Sequence, residues 1–353
     1  MSKFLSETYG SLVPYEPGEQ PKIQNLIKLN TNESPFPPSP RAVEEGEKEL
    51  ALSQLYPDPE CVRLREAIAE NLGCGITKDE VFVGNGSDEV LFLAFNAYKD
   101  KGFAFPDITY GFYPVYAKIS GAAFREIPLK ADFTVDFAAL KREKGAVVVA
   151  NPNAPTGIFA PLSEIVDLIE SDRSRIVVVD EAYVDFGGES AVSLVKKYEN
   201  LLVTRTFSKS RSLAGARLGF GVACPALIRD LNLLKYSVNP YNVNRVTAAM
   251  GYGALRDEAY TKRNCAEIER NRERLAKEIL PFGYSSLPSK ANFLFVKHEK
   301  LSGESVYRAL REKSILVRYF DKERLRPFVR ITIGNEEQTN ALIDAMKRVA
   351  EGI

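Results

Sequence analysis

Between residues 81 and 223, short runs of apolar and β-branched residues alternate with stretches of helical character. The runs are Val81–Val83, Phe103–Phe105, Ala146–Ala150, Ile176–Val179, Leu201–Thr204 and Leu218–Val222. This alternation is typical of strand–helix units whose parallel strands form one sheet covered by helices. We therefore predict an α/β fold, with a mostly parallel sheet in a large domain.

The pattern changes on both sides of this region. The first 28 residues contain Pro and Gly and indicate an N-terminal arm. After a break at Asn239-Pro240, a long helical segment runs to about Leu280, and strand-like runs at 293–296 and 315–317 flank further helices. We expect an arm over 1–28, a large cofactor-binding domain over 29–245, and an interdomain helix with a smaller α+β C-terminal domain over 246–353.

A lysine between two serines follows the predicted strand Leu201–Thr204. It is Lys209, and Arg217 lies eight residues further on. An amine can condense with the aldehyde of a phosphate-bearing cofactor, and a cation with hydroxyl groups can hold the phosphate. Pyridoxal phosphate fits this set, with Lys209 as its Schiff-base lysine. A solvated surface lysine before an amphipathic turn is the alternative that this segment leaves open.

The run Ile176–Val179 predicts a buried strand that ends in Asp180. Ligand groups collect at the carboxyl ends of strands in open α/β sheets. Asp180 is placed to pair with the pyridine nitrogen and keep it protonated. Ala182 is small enough to pack on the ring, and Tyr183 can bond the ring hydroxyl. The alternative is an Asp that caps a turn or a helix.

The segment from Val81 to Val90 predicts a strand, a glycine turn and the start of a helix. Free N–H groups at a helix N-terminus bind phosphate, and Gly86 lets the backbone approach it closely. The third glycine of the dinucleotide fingerprint is missing, so a Rossmann site is disfavoured. An ordinary turn capped by Ser87 or Asp88 is the alternative.

Together these segments resemble the fold-type I enzymes that use pyridoxal phosphate, and more closely the histidinol-phosphate aminotransferases. The resemblance runs nearly end to end. Besides the lysine segment, its markers lie at residues 14–18, 29–35, 56–58, 84–89, 109–113, 151–157, 180–183 and 328–332. The Asp, Lys and Pro-Thr-Gly elements are shared across the fold type. The markers at 29–35 and 56–58, with Arg318 and Arg330, narrow the resemblance to the histidinol-phosphate aminotransferases and their near relatives.

The resemblance implies a role for each residue around the ring. Lys209 would also shuttle the proton between substrate carbon and cofactor carbon, and Asp180 would hold the pyridinium. Tyr183 and an Asn of the 151–157 loop would bond the ring oxygen. Many relatives have Asn directly before Pro-Thr-Gly, where this chain has Ala154. We therefore predict that Asn153 makes that contact, with Tyr183 acting with less help as the alternative.

Further contacts follow from the same resemblance. Tyr110 would stack on the ring, and the phosphate would be held by Ser208, Arg217 and the backbone at Ser87 and Asp88. Tyr56 would reach that phosphate from the second subunit of a homodimer. A turn aromatic packed on Pro57 is the alternative for Tyr56.

The resemblance also implies two amino donors, glutamate and histidinol phosphate. One site must then accept a carboxylate in one half-reaction and a phosphate in the other. The planar fork of arginine suits both anions. Arg330 and Arg318 are the candidates, with Tyr15 and Asn32 closing the site from the N-terminal side. A surface ion pair is the alternative for Arg330.

We expect an aminotransferase of histidine biosynthesis that interconverts imidazole-acetol phosphate and histidinol phosphate, with glutamate and 2-oxoglutarate as the second pair. Threonine-phosphate decarboxylases and aromatic-amino-acid aminotransferases share the motifs and remain alternatives. A non-catalytic ligand sensor is another, although no DNA-binding module is evident before the arm.

Composition limits the partners. Forty-seven basic and forty-seven acidic residues balance, which favours neither nucleic acid nor an anionic membrane as a partner. No apolar run is long enough to span a bilayer, and no signal-peptide core is evident. Four cysteines lack metal-ligand spacing and fit a reduced, cytoplasmic setting. The single histidine, His298, lies among charged residues and is predicted to be a surface residue.

Overall fold

The computed structural model describes residues 2–6, 9–10, 12–15, 17–21 and 25–352. The strands are β1 Ile27–Lys28, β2 Val81–Gly84, β3 Phe103–Pro106, β4 Phe124–Ile127, β5 Ala146–Ala150, β6 Val177–Asp180, β7 Leu201–Thr206, β8 Gly219–Ala223, β9 Tyr284–Ser286, β10 Phe293–His298, β11 Ile315–Leu316, β12 Arg318–Tyr319 and β13 Phe328–Thr332. The α-helices are α1 Pro40–Leu50, α2 Val62–Leu72, α3 Ser87–Ala97, α4 Tyr113–Ser120, α5 Phe137–Lys141, α6 Leu162–Ser171, α7 Pro225–Val238, α8 Arg245–Leu255, α9 Glu258–Glu278, α10 Gly303–Glu312 and α11 Glu336–Glu351.

The large sheet has the strand order β2-β8-β7-β6-β5-β3-β4 within the described residues. Neighbours from β7 to β4 are parallel, and β8 runs antiparallel to both β2 and β7. Strands β5 and β6 are buried along their whole length, as expected for central strands covered on both faces by helices. The predicted α/β fold with a mostly parallel sheet is confirmed.

The second sheet is antiparallel and has the order β12-β13-β10-β9. It packs with α9, α10 and α11 around a separate apolar cluster that includes Leu294, Val296 and Ile331. Strand β1 pairs in parallel with β11, and the Leu29 carbonyl accepts a hydrogen bond from the Thr332 amide. The chain from residue 27 to 32 is therefore attached to the C-terminal elements before it reaches the large sheet.

Two expectations need correction. The long helical segment is two helices, α8 and α9, which are interrupted at Arg256 and Asp257. His298 is not a surface residue, because only 8% of it is exposed. Its Nε2 lies 3.0 Å from the Phe282 carbonyl, and its Nδ1 accepts bonds from the amides of Lys300 and Leu301. These bonds satisfy both ring nitrogens, so the histidine caps a turn at the end of β10.

None of the helices in the described part of the chain is long and apolar enough to cross a membrane.

Candidate active site

A cavity of about 420 Å³ opens at the carboxyl ends of β5, β6 and β7. Their end residues Ala150, Asp180 and Thr206 line it, as expected for a ligand site in an open α/β sheet. Its volume falls in the range of small-molecule sites. The predicted residues that line it are Ser87, Asp88, Tyr110, Asp180, Tyr183, Ser208, Lys209 and Arg217.

Lys209 follows the last residues of β7 and directs its amine into this cavity. Its Nζ lies 3.3 Å from the Thr31 carbonyl and 5.9 Å from the centre of the Tyr183 ring. Burial lowers the pKa of Lys209 to about 8, and the positive charge of Arg330 acts in the same direction. The amine therefore loses its proton much more readily near neutral pH than an ordinary lysine does, as a nucleophile requires.

Asp180 ends β6 and is 4% exposed. The Tyr113 hydroxyl donates to its Oδ2 at 2.8 Å, and the Thr204 hydroxyl donates to its Oδ1 at 3.1 Å. Burial raises the pKa of Asp180 to about 6, although both hydroxyl groups oppose that shift. The carboxylate therefore remains mostly ionised at neutral pH, and it faces the cavity as a buried hydrogen-bond acceptor.

The N-terminus of α3 forms the opposite wall. Gly86 precedes this helix with φ 83°, a conformation that favours glycine. A Cβ on Gly219 would lie 2.1 Å from the Ser87 nitrogen, so glycine there lets β8 approach the start of the helix. The Arg217 guanidinium lies 2.8 Å from the Asp88 carboxylate. A helix N-terminus beside an arginine is a suitable site for a phosphate.

Aromatic side chains cover another part of the cavity. The Tyr110 hydroxyl donates to Asp88 Oδ1 at 2.7 Å, and that bond fixes its ring. Tyr15 stacks on Phe112 with ring centres 4.4 Å apart and lies 6.2 Å from Tyr110. The structure thus brings Tyr15, from the N-terminal segment, to the ring predicted to stack on the cofactor.

Tyr183 and Asn32 meet although 151 residues separate them. The Asn32 amide donates to the Tyr183 hydroxyl at 2.9 Å, while its oxygen accepts a bond from Thr332. Asn32 has φ 56°, which asparagine tolerates better than most residues. Burial raises the pKa of Tyr183, so its hydroxyl keeps its proton and can donate it to a ligand oxygen.

Arg330 lies beside Lys209 and is not part of a surface ion pair. Its Nη2 donates to the Asn30 carbonyl at 3.1 Å, and the next carbonyl, Thr31, receives Lys209. Its Nε is buried without a hydrogen-bond partner among the described residues. No carboxylate of those residues lies within 4 Å of it. A buried arginine with an unused donor is suited to receive an anion.

Arg318 lies on the strand next to Arg330, since β12 pairs residue 318 with residue 330. One of its nitrogens lies 3.2 Å from the Pro17 carbonyl. Of the neighbouring arginines, Arg326 pairs with Asp321 and Arg324 donates to the Leu129 carbonyl. The second sheet thus places two predicted substrate-binding arginines side by side.

The predicted residues that do not line this cavity are Tyr15, Asn32, Tyr56, Gly86, Asn153, Arg318 and Arg330. For two of them, Asn153 and Tyr56, the contacts in the structure differ from the predicted ones. The Asn153 amide donates to the Ile108 carbonyl and to Thr156, and its oxygen accepts a bond from Thr109. Its two amide N–H groups are used by Ile108, which follows β3, and by Thr156 in its own loop, and its contact with the ring oxygen stays a prediction. Tyr56 is 77% exposed and stacks on Tyr241. Its contact with a second subunit stays a prediction.

Two side chains of the site were given no role from the sequence. Glu33 lines the cavity and accepts bonds from Lys28 and from Thr31. Tyr113 is fully buried against Asp180. Glu33 lies in the marker segment 29–35 and Tyr113 in the marker segment 109–113. A marker segment does not show which of its side chains will point toward the site.

The arrangement fits pyridoxal phosphate. A buried amine of lowered pKa can bind its aldehyde, and a helix N-terminus with Arg217 can hold its phosphate. The buried Asp180 carboxylate can accept a hydrogen bond from the protonated ring nitrogen, and Tyr183 can donate to the ring oxygen. These donors and acceptors stand around one cavity of suitable size.

Comparison with known proteins agrees with this set. Residues 24–346 match the family of aminotransferases of class I and II, and the chain belongs to that family. A relative from Acinetobacter baumannii, called histidinol-phosphate aminotransferase, is 46% identical over 352 residues, which are 98% of this chain and 97% of the relative. Histidinol-phosphate aminotransferase 1 of Bradyrhizobium diazoefficiens is 46% identical over 351 residues, covering 99% and 100%.

A solved structure gives the same result for the fold. Histidinol-phosphate aminotransferase from Sinorhizobium meliloti, in complex with pyridoxal 5'-phosphate, superposes with a TM-score of 0.88 at 25% identity, covering 100% of this chain and 99% of that one. The fold-type I architecture inferred from the motifs is therefore confirmed.

Proposed function

We propose that this protein transfers an amino group between histidinol phosphate and 2-oxoglutarate, reversibly, with pyridoxal phosphate as cofactor. One observation carries the proposal. Lys209 and Arg330 donate hydrogen bonds to neighbouring backbone carbonyls, Lys209 to that of Thr31 and Arg330 to that of Asn30. The reactive Lys209 amine is thereby held next to Arg330, whose buried Nε has no hydrogen-bond partner among the described residues. The curated relatives that bear this name support the choice of substrate.

The residues divide the work. The bound cofactor supplies an electron sink that makes the substrate hydrogen next to nitrogen acidic. Lys209, once its amine is free, would move that proton between the substrate carbon and the cofactor carbon. Asp180 keeps the ring-nitrogen proton in place, and Tyr183 holds the ring oxygen. The α3 N-terminus and Arg217 hold the cofactor phosphate.

Arg330 and Arg318 would bind the phosphate of histidinol phosphate in one half-reaction and a carboxylate of glutamate in the other. Both anions accept two parallel N–H bonds from a guanidinium, so one pair of arginines can serve both substrates. Tyr15 and Asn32 would close this end of the site. Stacking of Tyr15 on Phe112 and the bond from Asn32 to Tyr183 support these positions.

We propose further that the protein is a cytoplasmic homodimer with an arm over 1–28, a large domain over 29–245 and a small domain over 246–353. The exposed Tyr56 ring supports this proposal only in that it is accessible to a second subunit. Four free thiols are compatible with a reducing compartment.

The test is an absorption spectrum of the yellow holoenzyme during addition of histidinol phosphate without a keto acid. We expect the yellow band to bleach and to return when 2-oxoglutarate is added. Bleaching by glutamate and an aromatic amino acid alone would instead indicate an aromatic aminotransferase. Release of carbon dioxide from threonine phosphate would indicate the decarboxylase.

A further inference from the structure

Asp180 is held by two hydroxyl donors that no part of the proposed mechanism uses. Tyr113, the first residue of α4, is 0% exposed and donates to Oδ2 at 2.8 Å. Thr204 lies directly opposite Asp180 in the sheet register, is also 0% exposed and donates to Oδ1 at 3.1 Å. Each carboxylate oxygen therefore has one buried hydroxyl donor from the protein, and the Ala182 backbone amide is a further donor to this carboxylate.

These donors have a chemical consequence. A hydrogen bond given to the ionised form of a carboxylate makes that form more stable and the group less basic. A proton shared between Asp180 and a ring nitrogen would then lie closer to the nitrogen. An aromatic nitrogen that keeps its proton is the stronger electron sink.

The Tyr113 position is well fixed. Its ring contacts Phe105 and Tyr110 edge-on, at centroid distances of 5.7 Å, and it lies within a buried aromatic cluster. Burial and the Asp180 charge raise the pKa of the Tyr113 hydroxyl, so it keeps its proton. The hydroxyl therefore acts as a permanent donor rather than as an acid or a base.

Other titratable groups face Asp180 from the surrounding elements. Asp88 on α3 carries a charge of the same sign and opposes ionisation of Asp180. Tyr116 on α4 and Tyr183 after β6 are protonated phenols in the same region. Tyr116 donates to Asp88 and Tyr183 accepts from Asn32. Among the described residues, the hydroxyl donors to the Asp180 carboxylate are thus Tyr113 and Thr204.

We propose that Tyr113, assisted by Thr204, is a positioning residue that keeps Asp180 a weak base, so that the shared proton stays on the ring nitrogen of the cofactor. The inference rests on the cofactor site of the proposed function. It assigns to α4 a task in catalysis although Tyr113 does not line the cavity.

The first experiment uses the cofactor-free protein and needs no turnover. Tyr113→Phe removes a bond that matters most when Asp180 is ionised, and burial raises the pKa of Asp180 to about 6. We therefore expect the folding equilibrium constant to fall about tenfold further at pH 8 than at pH 5, which corresponds to a pKa change of about one unit. Thr204→Val should act in the same direction with a smaller change, because its bond is longer.

Tyr198→Phe is the matched control. Tyr198 is also buried, at 1% exposure, and its hydroxyl donates to the Glu170 carboxylate at 2.6 Å, outside the cavity. That bond lowers the pKa of Glu170, so this carboxylate is ionised at both pH values. The folding equilibrium constant of Tyr198→Phe should therefore fall by the same factor at pH 5 and at pH 8. A loss for Tyr113→Phe that is equally independent of pH would overturn the proposal.

The second experiment compares pyridoxal phosphate with its analogue that carries CH in place of the ring nitrogen. For the unchanged protein and for Tyr113→Phe, the rate at which the substrate hydrogen exchanges with D2O is followed by NMR. With the normal cofactor we expect Tyr113→Phe to be about tenfold slower than the unchanged protein. With the carbon analogue the two rates should agree, because no ring proton exists to be held.

The outcomes separate the two proposals. Equal loss with both cofactors would mean that Tyr113 only supports the shape of the site, and the inference would be wrong. If histidinol phosphate failed to react with the unchanged holoenzyme, the proposed function would be wrong. The pH dependence of the cofactor-free protein would still decide whether Tyr113 controls the acidity of Asp180.

Discussion

The two sides of the cavity are built differently. On the cofactor side, Asp180 and Lys209 follow adjacent parallel strands whose residues are almost all buried. On the substrate side, Arg318 and Arg330 are tied to carbonyls of Pro17 and Asn30, about 300 residues away in the chain. Tyr15 on this side is 39% exposed. In the proposed function, the sheet positions the residues that act on the cofactor, and the contacts between the two ends of the chain position the residues that select the anion.

This difference predicts how variants will behave. A change on the sheet side should affect both half-reactions, because the cofactor is common to them. A change on the substrate side should leave the cofactor in place and alter the discrimination between amines. The predictions below test that division.

Lys209→Ala should have the largest effect. It removes the buried amine that binds the aldehyde and moves the proton, and general acid–base catalysis alone contributes about 10²–10⁴-fold. We expect both half-reactions to slow by at least about 10³-fold, measured as single turnovers with histidinol phosphate and with glutamate. Lys235→Met is the control, because Lys235 is another buried lysine whose pKa burial lowers. Retained turnover in Lys209→Ala would contradict the assignment.

Arg330→Lys should have the next largest effect, on the other side of the cavity. Lysine keeps the charge but loses the planar fork that binds a phosphate through two bonds. We expect kcat/KM for histidinol phosphate to fall about 10²-fold, corresponding to about 3 kcal/mol for a desolvated charged contact. The cofactor spectrum should be unchanged.

Arg324→Lys provides the comparison, since Arg324 donates to backbone carbonyls at Leu129 and Lys130 outside the cavity. Its kcat/KM should stay within about twofold of the unchanged protein. If Arg330→Lys bound cofactor poorly but kept its preference for the phosphorylated amine, the division between the two sides would be wrong.

The same division explains what could be predicted from sequence. Strand β5 and the first three residues of β6 and of β7 are continuous apolar runs, so the positions of these strands, and of Asp180 and Lys209 at or just after their ends, were predictable. Strand β4 was missed, because the two central residues of its four, Arg125 and Glu126, are charged and exposed at the edge of the sheet. An edge strand pairs on one side only and carries a weaker apolar signal.

Side-chain pairing was less predictable. Asn153 stands in the expected motif, yet its amide bonds to Ile108 and Thr109 after β3 as well as to Thr156 in its own loop. Asn32 reaches Tyr183 instead, through a contact that depends on attachment of β1 to the second sheet. His298 was placed wrongly because charged neighbours in sequence do not reveal a turn that folds over the ring. Such contacts depend on which segments meet in space, and local sequence does not encode this.

Gly219→Ala should have a moderate effect on the cofactor side. The added Cβ would lie 2.1 Å from the Ser87 nitrogen, so β8 and the start of α3 must separate. We expect the affinity for pyridoxal phosphate to weaken about tenfold to thirtyfold, equivalent to about 1.4–2 kcal/mol. Equilibrium dialysis of the cofactor measures this change. Gly215→Ala is the control for stability of the cofactor-free protein, because its Cβ would meet no atom within 4 Å.

If Gly219→Ala bound cofactor normally, the start of α3 would not be the phosphate site. If Gly219→Ala bound pyridoxal phosphate weakly but kept its preference among amines, the change would affect the cofactor side alone. That result would agree with the division between the cofactor side and the substrate side.

Tyr15→Phe should have the smallest effect and gives the most selective test of the substrate side. The ring remains to stack on Phe112 at 4.4 Å, and only the hydroxyl is lost. If that hydroxyl donates to the substrate phosphate, removal of one hydrogen bond to a charged group should raise KM about tenfold for histidinol phosphate. An unphosphorylated amine such as histidinol should show almost no change. Steady-state kinetics with both amines measures the ratio, and equal changes for both would assign Tyr15 to packing of the cavity wall rather than to recognition of the phosphate.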